Sequence, residues 1–194
     1  MTDSATDEDA DSTDADFDVE EWRERLRAHR AEKDEFFADH PQSPIPPEER
    51  EDFESLDYFE PDPDYRVTAT VEVHERPDPV EMDVTAGAPQ RYLRIATLHF
   101  DLDGEEYEVA GYRQREDGEG LFVPFRDKTT GQQTYENGRY MEFEAEGGLE
   151  DGTEMVLDFN LAYSPFCAYS ETFACPLPPE ENWLDAEILA GEKT

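Results

Sequence analysis

Six polar side chains in the C-terminal third have the types and spacing of a binding or catalytic site: Asp127, Tyr135, Arg139, Asp158, Asn160 and Tyr163. They lie in two stretches, residues 121–140 and 157–193, where the apolar and polar alternation of the preceding sequence breaks down. The guanidinium of Arg139 has the geometry to bind a carboxylate or a phosphate through two parallel hydrogen bonds. We therefore expect a pocket for a small anionic molecule, framed by the two stretches around Arg139.

Two alternatives to a binding module remain open for the same residues. The first is a hydrolase in which Asp127 or Asp158 acts as general base and Arg139 stabilises the developing negative charge. The second is a purely structural network, because Asp, Asn and Thr at these spacings also close turns and lock loops together. In either case we expect Arg139 within hydrogen-bonding reach of Asp127 or Asp158, since an unpaired buried arginine is costly.

Two cysteines, Cys167 and Cys175, stand in the second stretch. Their types allow a nucleophile with its resolving thiol, a pair of metal ligands, a disulfide, or two reduced and packed thiols. No metal is expected, because the seven-residue spacing lacks the short ligand pairs of zinc sites and the four histidines lie far away in sequence. No cofactor is expected either, since the chain contains no phosphate-binding glycine motif, nucleophile elbow or metalloprotease helix. We favour reduced thiols, because a cytosol is reducing.

The two stretches also carry longer motifs. The first reads F-x-D-x-T-x-G-x-x-T-Y-x-x-G-R-Y over residues 125–140, and the second begins with D-F-N-x-A-Y-x-P-x-C-A-Y over residues 158–169. It continues with C-P-x-P-P-x-E-N over residues 175–182 and A-G-E-K over residues 190–193. In these motifs the chain resembles the family known as domain of unknown function 1684, in its haloarchaeal-type members. Ser164 departs from the asparagine common before the proline, and the resemblance implies a fold unit but no reaction.

The composition is strongly acidic, with 52 Asp and Glu against 16 Lys and Arg and a formal charge of −36. Only Lys33, Lys128 and Lys193 are lysines, and the acids are spread along the whole chain. This pattern is typical of a surface adapted to concentrated salt, where the Debye length falls to about 3 Å and carboxylate repulsion is screened. A docking surface for a basic protein partner is the alternative, and the sequence identifies no such partner.

The charge balance and the hydropathy exclude several function classes. Nucleic-acid binding is not expected, because phosphate contacts need a basic face. A membrane span is not expected, because no apolar run approaches the roughly 20 residues required. The N-terminus also lacks the basic and apolar regions of a signal peptide, so we expect a cytoplasmic protein.

These residues must be positioned by a fold that the sequence pattern also predicts. Residues 1–16 are acidic without bulky apolar side chains, which predicts a disordered tail, and residues 17–194 are expected to form one domain. Asp18 with Glu21 marks the start of a helix over residues 18–40. Six prolines between residues 41 and 63 predict an extended loop with a helical turn, attached to the core by aromatic side chains.

From Tyr65 onward the apolar residues recur with period two, which is the pattern of strands with one buried face. Separate strands are expected near residues 65–73, 80–84, 92–102, 105–114, 121–125, 141–145, 155–159 and, in preference to a helix, 184–190. The pair Asp103-Gly104 predicts a tight hairpin turn. The expected fold is mainly β with an N-terminal α-helix (α+β), in which about eight short strands form an antiparallel β-barrel or sandwich.

Overall fold

The computed structural model describes residues 17–144 and 148–194. The predicted acidic tail of residues 1–16 and Ala145, the last residue of one predicted strand, lie outside the described residues. The first element is helix α1, Val19–Asp39, and its start confirms the predicted cap. The carboxylate of Asp18 accepts hydrogen bonds from the backbone N–H groups of Glu20 and Glu21 at 2.9 and 3.0 Å. The helix buries Trp22, Leu26 and Phe37.

Eight strands follow, with bounds β1 Asp57–Tyr58, β2 Arg66–Met82, β3 Gln90–Leu102, β4 Glu105–Arg113, β5 Leu121–Phe125, β6 Arg139–Phe143, β7 Glu154–Asp158 and β8 Glu192–Lys193. Six of them form one antiparallel sheet in the order β6-β5-β4-β3-β2-β7, and β1 pairs with β8. The large sheet curls into a half-barrel. The predicted α+β class with antiparallel pairing is therefore confirmed.

Two strand predictions need correction. Residues 65–73 and 80–84 were expected to form separate strands, but the single strand β2 covers most of both, ends at Met82 and carries an irregularity between Val73 and Asp78. Pro77 and Pro79 lie at or beside this irregularity, where the backbone N–H groups that prolines lack are not required. The run 184–190 forms neither strand nor helix. Backbone groups of Leu184 and Ala186 bind the backbone of Arg126 and Lys128. Those of Ile188 and Ala190 bind side chains, as described below.

The main core lies on one face of the large sheet. Val71, Leu98 and Val109 are directly opposite one another on β2, β3 and β4, and each is at most 1% exposed. Ile188 and Ala190 from the irregular C-terminal run are buried in the same cluster. The predicted hairpin at Asp103-Gly104 is confirmed, since both residues have the positive φ angles of 55° and 79° that this tight turn requires.

The opposite face of β3 to β6 carries a second apolar cluster, which Met82, Tyr92, Ala110 and Tyr112 form. Directly paired residues on neighbouring antiparallel strands share a face. The pairs Tyr112 with Phe122, Phe122 with Glu142, and Pro124 with Tyr140 therefore extend this second face across β4, β5 and β6. The sheet thus presents a row of aromatic side chains on the side away from the main core.

Candidate functional site

Arg139 lies inside the protein with 1% of its surface exposed. Its Nη1 donates to the carbonyl oxygens of Ala190 at 2.5 Å and Glu192 at 3.1 Å, and its Nη2 donates to the carbonyl of Ile188 at 3.0 Å. Nη2 is also 3.6 Å from Oδ1 of Asp127. Burial lowers the pKa of Arg139 to about 10, while the Asp127 and Glu192 carboxylates act in the opposite direction.

Asp127 faces Arg139 and is equally enclosed. Its Oδ2 accepts from the Ile188 N–H at 2.8 Å, and both of its oxygens accept from the Thr129 hydroxyl at 2.8 and 2.9 Å. The predicted pairing of Arg139 with an aspartate is thus found as an ion pair, at 3.6 Å, slightly longer than a direct hydrogen bond. Together the two charged side chains hold the irregular run 184–192 against β6.

Asp158 and Asn160 form a second, separate network. Oδ2 of Asp158 accepts from the indole N–H of Trp22 at 2.8 Å, which joins the end of β7 to helix α1. Oδ1 of Asp158 accepts from the amide group of Asn160 at 2.9 Å, and that amide also donates to the carbonyl of Asp62 at 2.8 Å. The backbone N–H of Asp62 returns a hydrogen bond to Oδ1 of Asn160 at 2.9 Å. This network joins the helix, the proline-rich loop and the sheet.

The two predicted tyrosines, Tyr135 and Tyr163, make different contacts. The hydroxyl of Tyr135 donates to Sγ of Cys167 at 3.5 Å and accepts from the side-chain amide of Asn137 at 3.0 Å. Tyr163 pairs through its backbone with Tyr140 and lies under the ammonium group of Lys33 at 4.8 Å. Lys33 in turn binds Oε2 of the fully buried Glu192 at 2.7 Å.

The six predicted residues therefore do not converge on one pocket. Arg139 cannot anchor an external anion there, because three backbone carbonyls and Asp127 already surround its enclosed guanidinium. Of the six, Tyr163 alone lines the cleft described next, within the part of the chain that the structure describes. The physical reason is that the run 184–190 forms no regular strand, so the carbonyl groups of Ile188 and Ala190 bind the guanidinium that the sequence pattern assigned to a ligand.

A cleft with a volume of about 930 Å³ lies over the second face of the sheet. Four ring neighbours line it as a continuous wall. Tyr92 and Phe122 have centroids 5.6 Å apart, Phe122 and Tyr140 are 4.8 Å apart, and Tyr140 and Tyr163 are 5.9 Å apart. Tyr112 adds a fifth ring to the lining. We call these five residues the aromatic wall.

The phenol groups of the aromatic wall are held as neutral donors. Burial raises the pKa of Tyr112, Tyr140 and Tyr163 well above the usual value for tyrosine. The hydroxyl of Tyr112 donates to the Glu181 carboxylate, and the hydroxyl of Tyr140 donates to the carbonyl of Pro176. These contacts fix the rings in place, so the wall is formed before any ligand arrives.

Charged side chains at the rim of the cleft are more negative than positive. The carboxylates are Glu119, Glu142 and Glu144, and the cations are Arg113 and Arg115. Arg115 already binds Asp117 through two hydrogen bonds of 2.9 and 3.0 Å, and Nε of Arg113 donates to the carbonyl of Gly120. Glu142 lies close enough to Tyr163 to contribute to the raised pKa of that phenol. The rim therefore favours a positively charged group over an anion.

Within residues 17–144 and 148–194, no group of three or more His, Cys, Asp and Glu side chains is arranged to hold a metal ion. The one α-helix of the described chain is not long and apolar enough to cross a membrane.

Residues 51–193 match the family described as a protein of unknown function (DUF1684). The chain belongs to this family. A solved structure is also similar to this chain: the solution NMR structure of an uncharacterized protein of Haloarcula marismortui, with 59% sequence identity and a TM-score of 0.72. The match covers 91% of this chain and 96% of the other. No curated protein matches the chain.

In this family member, sequence reasoning missed most of the aromatic wall. Tyr92, Tyr112 and Phe122 were assigned only to strands. The sequence does carry a signal for Tyr112. In β4, Ala110 and Tyr112 are apolar residues on the face where strand alternation predicts polar side chains. Asn182, which is fully buried, was also missed as a network residue.

Proposed function

We propose that this protein is a small-molecule binding module and that its ligand lies along the aromatic wall. The observation that carries the proposal is the continuous row of rings in a cleft of about 930 Å³, a size within the range of small-molecule sites. Phe122 and Tyr163 line the cleft and are only partly buried, whereas Tyr92, Tyr112 and Tyr140 are at most 7% exposed. Apolar surface that stays accessible in a cleft often marks a binding site. The wall is also fixed by hydrogen bonds, which lowers the entropic cost of binding.

The ligand class that fits this cleft best is an organic cation with methylated nitrogen. Aromatic faces attract a cation within about 6 Å of the ring centroid, and quaternary ammonium groups are bound in this way. Glu142 at the rim adds an opposite charge, and the formal charge of −36 opposes the approach of an anion. The anionic ligand expected around Arg139 loses its anchor for the reason given above.

The hydrolase alternative has less support from the geometry. A general base must reach a proton of the substrate, but Asp127 and Asp158 are only 8% and 6% exposed and their oxygens accept several internal hydrogen bonds. The structural alternative has a specific observation in its favour. Arg139 and Asp127 bind backbone groups of the run 184–192, so we assign this pair to the stability of the fold.

Calorimetric titration with choline in molar KCl tests the proposed function. The matched control is the uncharged carbon analogue of choline, in which carbon replaces nitrogen. We expect saturable binding of choline and much weaker binding of the analogue. Phe122→Leu keeps an apolar side chain but removes the ring, and should weaken choline binding by up to about 30-fold, which corresponds to about 2 kcal/mol.

Two further variants separate the charge from the rings. Glu142→Gln should weaken choline binding, whereas Glu54→Gln, an exposed position outside the cleft, should leave it unchanged. Equal affinity for choline and its carbon analogue would show that the cleft does not select a cation. If neither compound binds saturably, the cleft is not a site for this ligand class.

We also propose that the protein works in the concentrated salt of a cytoplasm. The even spread of acids supports this, as do the two free thiols and the similarity to a protein of Haloarcula marismortui. Circular-dichroism melts should then show a rising midpoint as KCl increases from millimolar to molar concentration, because screening removes carboxylate repulsion. An unchanged midpoint over that range contradicts the proposal.

A further inference from the structure

The loop between Cys167 and Cys175 folds back on itself. Phe166 directly precedes Cys167, and Phe173 lies two residues before Cys175. Their rings pack edge to face with centroids 5.3 Å apart. The backbone N–H of Phe173 donates to the carbonyl of Ser170 at 3.4 Å and closes the turn. This folding brings the two cysteines near each other, close enough for Cys167 to contribute to the raised pKa of the Cys175 thiol.

The two thiols differ in accessibility. Cys167 is half-buried, in a short 3-10 helix at Phe166–Ala168, whereas Cys175 is 7% exposed. Thr85 fixes the backbone of Cys175 on both sides: its hydroxyl accepts from the Cys175 N–H at 3.1 Å, and its own N–H donates to the Cys175 carbonyl at 3.0 Å. Burial raises the pKa of Cys175 to about 12. Cys167 is therefore the thiol that an external reagent reaches first.

Tyr135 completes the surroundings of the pair. Its hydroxyl lies 3.5 Å from Sγ of Cys167, in position to stabilise a thiolate there by donating a hydrogen bond. Burial also raises the pKa of Tyr135 to about 12, so the phenol keeps its proton and remains a donor. An accessible thiol with a donor and a second, buried thiol beside it is the arrangement of an attacking and a resolving cysteine.

We propose that Cys167 and Cys175 form a reversible disulfide by exchange with low-molecular-weight disulfides. The Cys167 thiolate attacks one sulfur of the external disulfide, whose S–S bond breaks and releases one small thiol. Cys175 then loses its proton and attacks Sγ of Cys167, so that the mixed disulfide breaks and the second small thiol leaves. The two cysteines lose two electrons to the external disulfide, and their two protons end on the two released thiols.

The inference is independent of a ligand in the aromatic cleft. It concerns a modification of the loop 167–175, and neither the rings nor the carboxylates of the cleft take part in the exchange. It is also consistent with reduced cysteines under ordinary cytoplasmic conditions, because the exchange depends on an external disulfide as oxidant.

The test uses the intact chain in molar KCl and uncharged hydroxyethyl disulfide as the probe, so that the negative surface does not repel it. After rapid acid quenching, we expect intact mass to show the loss of two hydrogen atoms, and peptide mapping to show a Cys167 to Cys175 link. Dithiothreitol should restore two free thiols. A product with two separate adducts, or one with no change in mass, would overturn the proposal.

Two single variants identify the roles. Cys175→Ser should accumulate a stable mixed disulfide at Cys167, because the resolving thiol is gone. Cys167→Ser should react at least about tenfold more slowly than the native chain, since burial protects Cys175 and keeps it protonated. If Cys167→Ser reacts as fast as the native chain, the assignment of the attacking thiol is wrong.

Discussion

The central strands and the C-terminal segments bury their backbones in different ways. In β2, β3 and β4 the backbone groups bind one another, and side chains alternate between the core, as in Leu98, and the solvent, as in His99. His99 lies 2.8 Å from Glu72 across the strand pair in a largely exposed contact. The segments 126–138 and 159–191 have little regular pairing, and buried polar side chains bind part of their backbone instead.

This difference explains where the charged and amide motifs lie. A buried backbone group without a partner is costly, so a chain that leaves the sheet must supply donors and acceptors from side chains. Asn182 does the same for the sheet, where the described residues of β4 and β5 pair only at Tyr112 and Phe122. Its amide donates to the carbonyls of Ala110 and Pro124 at 2.9 and 2.7 Å, and its Oδ1 accepts from the Ala110 N–H at 2.7 Å. The polar motifs in the second region therefore act as substitutes for strand pairing.

The largest expected effect comes from Arg139→Ala. The change leaves the Asp127 carboxylate without its cation and removes three hydrogen bonds to backbone carbonyls. We expect the free energy of unfolding to fall by about 3–5 kcal/mol, measured by denaturant titration in molar KCl.

Arg115→Ala is the matched control for that variant. Arg115 also binds a carboxylate, that of Asp117, but its side chain is 77% exposed. An exposed pair contributes about 0–1 kcal/mol. Similar losses in the two variants would show that the proposed difference between the regions is wrong.

The next largest effect is expected for Asn182→Ala, which leaves buried groups of Ala110 and Pro124 without partners. The cost should be about 1–3 kcal/mol for an unsatisfied buried group, measured as the loss in unfolding free energy. Asn137→Ala is a suitable control, because the Asn137 amide binds the exchangeable hydroxyl of Tyr135 and no backbone group among the described residues, and the residue is partly exposed. Faster hydrogen exchange at the Ala110 amide should accompany the first variant and not the second.

Glu192 provides a pH-dependent test of the second region. Burial raises the pKa of Glu192 above its usual value of 4.5, although Lys33 opposes the shift. The folded state then binds the proton of Glu192 more tightly than the unfolded state does. The contribution of this group to stability therefore falls as pH rises from the pKa of the unfolded state through the pKa of the folded state.

Glu192→Gln removes that titration. The difference in unfolding free energy, native minus variant, should therefore decrease as pH rises above about 4.5, the usual value for glutamate. The exposed control Glu54→Gln should show no comparable decrease. A native-minus-variant difference for Glu192→Gln that increases with pH would mean that the Lys33 ion pair outweighs burial.

The smallest expected effect is the salt dependence of the two arginine variants. The cost of Arg115→Ala, at most about 1 kcal/mol, should vanish between millimolar and molar KCl because its pair is open to screening. The cost of Arg139→Ala should persist over the same range, since solvent ions do not reach its guanidinium. Parallel denaturant titrations at the two salt concentrations measure the loss of unfolding free energy in both variants. If the loss in Arg139→Ala also vanishes at molar KCl, the assignment of Arg139 to a buried stabilising network is wrong.

The sequence by itself determined the α+β class, the helix with its Asp18 cap, and the hairpin at Asp103-Gly104. Each depends on residues that are neighbours in the chain, so capping chemistry, turn geometry and side-chain alternation suffice to predict them. The pairing of Arg139 with an aspartate was also predictable, because a buried charge needs a partner wherever the chain runs.

Only the tertiary structure decided what surrounds that pair and where the cleft lies. The carbonyls that bind Arg139 are 49 to 53 residues away in the chain. Two of them lie in the run 184–190, whose alternation resembles a strand but which forms none, and the third lies in β8. The aromatic wall brings Tyr92, Phe122, Tyr140 and Tyr163 together from three strands and a loop. Such contacts depend on strand order and register, which local patterns do not specify because the same alternation fits several arrangements of a sheet.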